Sequence, residues 1–162
     1  TPGTLSVTNN TKEITITSAG DVITYDGESH TKEEYVVTYD GVAITGAAVT
    51  NNGTTFTLPT GDHLTITPTF AGVTNVTDAN NVDHNNTFTY TLENSTNYAS
   101  TPTTTYGWVK IVPKNVAITV NDSEKIYGDN DPAFTGAVVG LVNQSDLGTI
   151  SYSRTNNAEN VG

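Results

Sequence analysis

Three histidines, His30, His63 and His84, are the side chains best suited to acid–base or metal chemistry near neutral pH. None of them stands in a His-x-x-x-His or His-Glu-x-x-His pattern, and the chain has no cysteine to complete a ligand set. They read as solvated turn residues. There is also no Gly-x-Ser-x-Gly elbow and no thiol nucleophile, so no enzymatic activity is expected. Asp78, Asn80 and Asp83 in one loop, and Asp129, Asn130 and Asp131 in another, could offer hard oxygen ligands to calcium. Val82 occupies the place of the third alternate ligand in the first loop, so neither fits an EF-hand. Asx-rich loops bond their own backbone, and turn formation is the simpler reading. No other cofactor is expected.

Aromatic rings offer a second kind of chemistry, because a sugar face can stack on them. Trp108 and Tyr106 are the candidates. Trp108 alternates out of phase with Val109 and Ile111, which places its ring on the opposite face of a strand, where it could cover a linker or meet a glycan or protein ligand. Pro113 follows closely, which favours packing between units. Lys12 and Lys110 lie on terminal strands where a Lys–Asn isopeptide bond would need them, yet spacing identifies no partner for either.

These residues must be positioned by strands, since alternation is the dominant periodicity. Ile14 and Ile16 alternate with Thr15 and Thr17; Leu64, Ile66 and Phe70 with Thr65, Thr67 and Thr69; Phe88, Tyr90 and Leu92 with Thr87, Thr89 and Thr91. The pattern predicts half-buried strands with threonine faces toward solvent. Further strands are expected at Leu5–Thr8, Val22–Tyr25, Tyr35–Tyr39, Thr54–Leu58, Tyr106–Val112, Val116–Val120, Phe134–Val139 and Thr149–Ser153. Asp26-Gly27, Asp40-Gly41, Asn52-Gly53 and Gly61-Asp62 punctuate them as turns. Val73–Asn86 reads as a long surface loop or crossover, and at most one short helix is expected, in Thr31–Tyr35 or Gln144–Leu147. The fold class is therefore all-β or mainly β.

Composition narrows the partners. The 162 residues carry a formal charge of −11 with only six Lys and Arg, which disfavours nucleic acid and anionic membranes. No stretch approaches the roughly 20 apolar residues that span a bilayer, so no membrane insertion is expected in this segment. Absence of cysteine together with Thr and Asn richness suggests a bacterial exterior.

An internal repeat organises the chain. Ile14-Thr15-Ile16-Thr17 aligns with Val116-Ala117-Ile118-Thr119 without gaps, and Tyr25-Asp26-Gly27 then falls on Tyr127-Gly128-Asp129, a shift of 102 residues. The simplest parse has three parts. Residues 1–10 are the closing strand of a preceding repeat or an edge strand, 11–113 a complete repeat, and 114–162 a truncated one. Adjacent repeats of the same protein are the expected partners. Tyr25 and Tyr127 read as equivalent core or corner residues.

The motifs Ile23-Thr24-Tyr25-Asp26-Gly27, Gly61-Asp62-His63-Leu64, Asn86-Thr87-Phe88-Thr89-Tyr90 and Tyr106-Gly107 resemble the YDG-type repeats of bacterial surface proteins. From Val116 onward, Ile126-Tyr127-Gly128-Asp129, Asp131-Pro132, Gly140-Leu141-Val142 and Glu159-Asn160-Val161-Gly162 resemble the related MBG (mostly β-grasp) repeats. The resemblance implies β-grasp-like domains in tandem within long secreted or wall-anchored proteins, acting as stalk or adhesin and without catalytic residues.

Overall fold

The computed structural model describes residues 2–50, 53–76 and 84–156. The first sheet contains β1 (Ile14–Ser18), β3 (Tyr35–Tyr39), β4 (Val42–Ala43) and β9 (Thr103–Thr105), in the order β4-β3-β1-β9. β5 (Ala48–Thr50), β6 (Gly53–Thr57), β7 (His63–Pro68) and β8 (Phe88–Leu92) form an antiparallel meander in chain order. β2 (Asp21–Thr24) pairs in parallel with β10 (Val109–Val112), and β11 (Ala117–Val120) pairs with β12 (Gly136–Val139). The only helical pieces among the described residues are three-residue 3₁₀ turns at Ser95–Asn97 and Gln144–Asp146. The chain is mainly β.

Alternation explains how the two large sheets meet. Ile14, Ile16 and Val37 project from the first; Phe56, Leu64, Ile66 and Phe88 project from the second, and with Leu58 and Tyr98 they form one core. Burying each of the larger aliphatic side chains contributes about 1.5–3 kcal/mol. On the outer faces threonines pair across strands, Thr15 with Thr38 at 2.7 Å and Thr55 with Thr65 at 2.9 Å. Asp40 and Gly41 both take positive φ, at 52° and 79°, which is the type I′ geometry that closes the β3–β4 hairpin.

Several expectations are corrected. Leu5–Thr8 is not a strand: Leu5 and Val7 are more than 90 % exposed, because an alternating segment becomes a strand only against an edge, and here none receives it. Thr149–Ser153 likewise forms no strand, and Thr31–Tyr35 runs into β3 rather than a helix. Tyr106–Val112 is interrupted at Gly107, with its first half displaced to Thr103–Thr105. β4 and β5 are short, exposed strands with too few residues to show a period. Of the Val73–Asn86 segment, residues 77–83 lie outside the described residues; at its two ends Val73 bridges His30 and Asn86 is buried.

The last two strands echo the first sheet. Ile16 pairs with Val37, and Ile118 pairs with Val138, in the same antiparallel sense. The bond from the Ala19 amide to the Glu34 carbonyl, 2.9 Å, has its counterpart from Asn121 to Thr135, also 2.9 Å. First-strand positions are displaced by 102 residues and second-strand positions by 101. Burial differs sharply: Ile16 is fully buried whereas Ile118 is 50 % exposed. The sheet of β5, β6, β7 and β8 covers Ile16, and no described residue after Pro113 is buried.

Candidate functional site

The most organised feature is a parallel ladder between the beginning and end of the first unit. Asn10 pairs with Tyr98, Thr15 with Thr103 and Ile23 with Ile111, each 88 residues apart. A constant offset means that neither chain inserts a residue. Instead, both bend together, one at Ser18–Gly20 and the other at Tyr106–Trp108. Glycine is required on each side because the backbones nearly touch. A Cβ at Gly107 would lie 2.3 Å from the Ala19 carbonyl oxygen, and one at Gly20 would lie 2.9 Å from that of Trp108.

Buried polar side chains satisfy the backbone groups that the bend unpairs. Ser18 Oγ donates to the Asn86 carbonyl at 2.7 Å and accepts from the Gly107 amide at 2.9 Å. Asn86 Nδ2 donates to the carbonyls of Ala19 at 2.8 Å and Lys32 at 2.7 Å. Asn85 takes the place of a neighbouring strand: its Oδ1 accepts from the Val109 amide at 2.8 Å, and its Nδ2 donates to the Val109 carbonyl at 2.9 Å. Ser18 and Asn86 are both buried, so each unmade bond would leave a desolvated group. Sequence reasoning missed this set. The adjacent asparagines just before an alternating strand were its only visible trace.

A second polar cluster closes the opposite end of the sheets. Tyr98 Oη donates to Asp62 Oδ2 at 2.7 Å, Thr60 Oγ1 donates to the same carboxylate at 3.0 Å, and Asn94 Nδ2 donates to Oδ1 at 2.7 Å. These donors, Tyr98 first, hold the Asp62 carboxyl below its ordinary pKa. Burial pushes the Tyr98 phenol up, and its bond to Asp62 adds to the shift. Beside it, the His63 imidazole hydrogen-bonds Glu93 at 2.9 Å and lowers that carboxyl too. A cleft of about 480 Å³ opens between Asp62, Tyr98 and residues 7–10. The aromatic ring does not face it as a stacking platform, since Tyr98 is 7 % exposed.

The candidate ligand rings part company. Tyr106 packs edge-on against Phe88, ring centroids 5.0 Å apart, which places it against the core. Trp108 lies over Gly20 and remains 39 % exposed. Its indole covers the bend of its own unit.

The repeated motif residues occupy corners. Tyr25 is half-buried, with its amide bonded to the Val112 carbonyl at 2.9 Å, and Tyr127 is 72 % exposed, so a shared core role is excluded. Asp26 bonds His30 at 2.9 Å. Gly27 and Gly128 both adopt positive φ, although the alignment sets Gly27 against Asp129 and Gly128 against Asp26. The positive-φ glycine is displaced by one residue between the two corners, and their bonding differs: the Glu28 amide donates to Asp26 Oδ1 in the first, the Asp129 amide to the Ile126 carbonyl in the second.

Asp78, Asn80 and Asp83 lie outside the described residues. In the other Asx loop, Asp131 pairs with Lys125 and with Arg154, each at 2.8 Å, and Asp129 lends its backbone carbonyl to Lys125. Among the described residues no group of three His, Asp or Glu side chains is placed to hold a metal. Lys12 forms an exposed ion pair with Asp40 at 2.6 Å, away from any buried asparagine.

The geometry is that of a mainly β unit in which residues 10–24 and 98–112 run side by side in parallel. Residues 116–162 match the family described as MBG domain (YGX type), in agreement with the resemblance read from Val116 onward. No curated protein and no solved structure matches the chain significantly.

Proposed function

We propose that the chain is a structural stalk or spacer segment of a secreted or wall-anchored bacterial surface protein. In this reading residues 11–113 form one repeat, and residues from 114 onward belong to the next. The supporting observation is the recurrence of the β1–β3 pairing in β11–β12, one repeat further along, within the segment matched by the MBG family. The role is passive, without catalysis or bound cofactor, at the cell exterior. Small-angle scattering from a polypeptide carrying several copies of residues 11–113 in series tests it. An elongated particle whose length grows with copy number is expected; a compact globule would overturn the reading.

Partial exposure of Trp108 favours one alternative, an adhesin module that takes a glycan or a host protein on that ring. Saturable binding on a glycan array, abolished by Trp108→Ala with the fold intact, would establish adhesion in place of spacing.

A further inference from the structure

We propose that the parallel ladder is a force-bearing clamp, so that the unit resists pulling along the chain axis far better than pulling across it. The proposal rests on the stalk reading for its biological use, and on the ladder alone for its mechanics.

The argument begins with direction. The chain enters the unit at Asn10, at one end of the ladder, and leaves at Val112, at the other end, because the two strands run parallel. Tension applied through the flanking residues therefore pulls the strands past one another. Every bond between them is loaded together, from the Asn10 amide on the Asn97 carbonyl at 2.8 Å to the Tyr25 amide on the Val112 carbonyl at 2.9 Å. Rupture then requires many bonds to fail in one event. Had the two strands been antiparallel, the same tension would fall on one end of the ladder, and bonds would open singly.

The shared bend opposes sliding. Displacing one strand along the other would drive the Ala19 carbonyl past Gly107, where only the missing side chain allows the present approach. It would also strip Ser18, Asn85 and Asn86 from their partners at once. β3 flanks the ladder on the far side of β1, so the first half of the incoming strand is held from both edges, while β2 is held by β10 alone.

The geometry also continues in series. Val112 is followed after Pro113 by β11, which occupies the place of β1 in the recurring pair. Tension leaving one clamp thus arrives on the first strand of the following unit.

Single-molecule force spectroscopy on the full chain decides this, and the absence of native cysteine allows attachment at chosen positions. Thr8→Cys with Lys114→Cys loads the ladder from opposite ends, and Glu28→Cys with Lys114→Cys loads it from the same end; all three positions are exposed. Forced unfolding reports the barrier along the pulled direction, and a rupture force about twofold or more higher in the first geometry is expected at equal pulling speed. Equal forces, or a weaker first geometry, would overturn the clamp. Circular dichroism of both double variants verifies that the same fold is being pulled. Equal forces alongside elongated scattering would remove the clamp and leave the stalk; a strong first geometry alongside a compact particle would do the reverse.

Discussion

The Gly107 amide donates to the Ser18 hydroxyl at 2.9 Å, across a bend that joins residues 89 apart in sequence. The same hydroxyl donates to the Asn86 carbonyl, so one small side chain serves two otherwise unpaired backbone groups. Ser18→Ala removes both bonds inside a buried site and is expected to cost about 1–3 kcal/mol, measured by urea denaturation. A cost below about 0.5 kcal/mol, the ordinary scale of surface substitutions, would show that the bend holds without it.

Two glycines separate steric from conformational necessity. Gly107→Ala forces a methyl group to within 2.3 Å of the Ala19 carbonyl oxygen, so the backbones must part. Gly41→Ala meets open space and suffers only from a φ of 79°. The second change is expected to cost about 1–2 kcal/mol, the ordinary penalty of the left-handed conformation, and the first clearly more. Thermal melts of the two variants that coincide would contradict this account of the bend.

Acid stability is expected to depend on Asp62. Its native pKa lies below the unfolded value, so the folded state binds the proton less readily than the unfolded chain does. The resulting stabilisation is complete above the ordinary carboxylate value of about 4 and is lost as pH falls from there through the lowered native pKa. Asp62→Asn should therefore melt earlier than the parent at neutral pH and show a flatter decline in acid. Parallel melting curves from pH 7 to pH 2 would remove Asp62 from the explanation.

Removal of Thr1–Thr8 is expected to leave stability unchanged to within about 0.5 kcal/mol, because the described part of the segment has no ladder bonds and Leu5 and Val7 face solvent. A marked loss would mean that the segment serves its own unit as an edge strand. Sedimentation over a range of concentrations adds a second reading. Association of the parent that disappears on deletion would show the segment adding to the open edge of β11 or β12 in a neighbouring chain.

Much of the fold was legible because a half-buried strand writes its environment into every second residue. Phe88–Leu92 appears where alternation predicted it, Tyr35–Tyr39 is a strand as expected, and Asp40-Gly41 turns where two positive φ angles are needed. The 102-residue echo of Ile14–Thr17 in Val116–Thr119 is a feature of the sequence, and both segments lie in antiparallel pairs of the same sense. Such patterns report whether a residue is covered, and not by what. Leu5–Val7 and Ile16 therefore looked alike in sequence, and only the second is buried.

The strand-rich class, the Asp40-Gly41 turn, the threonine faces and the recurrence of Ile14–Thr17 at Val116–Thr119 are all legible from residue order. Only the closed fold shows that residues 10–24 and 98–112 lie parallel with a constant offset of 88, that Ser18, Asn85 and Asn86 tie the shared bend, and that Tyr98 meets Asp62. The physical reason is range. Alternation and turn chemistry are settled by neighbours a few residues away, whereas pairing across 88 residues follows from which sheet covers which apolar face, a choice made only when the whole unit closes around its core.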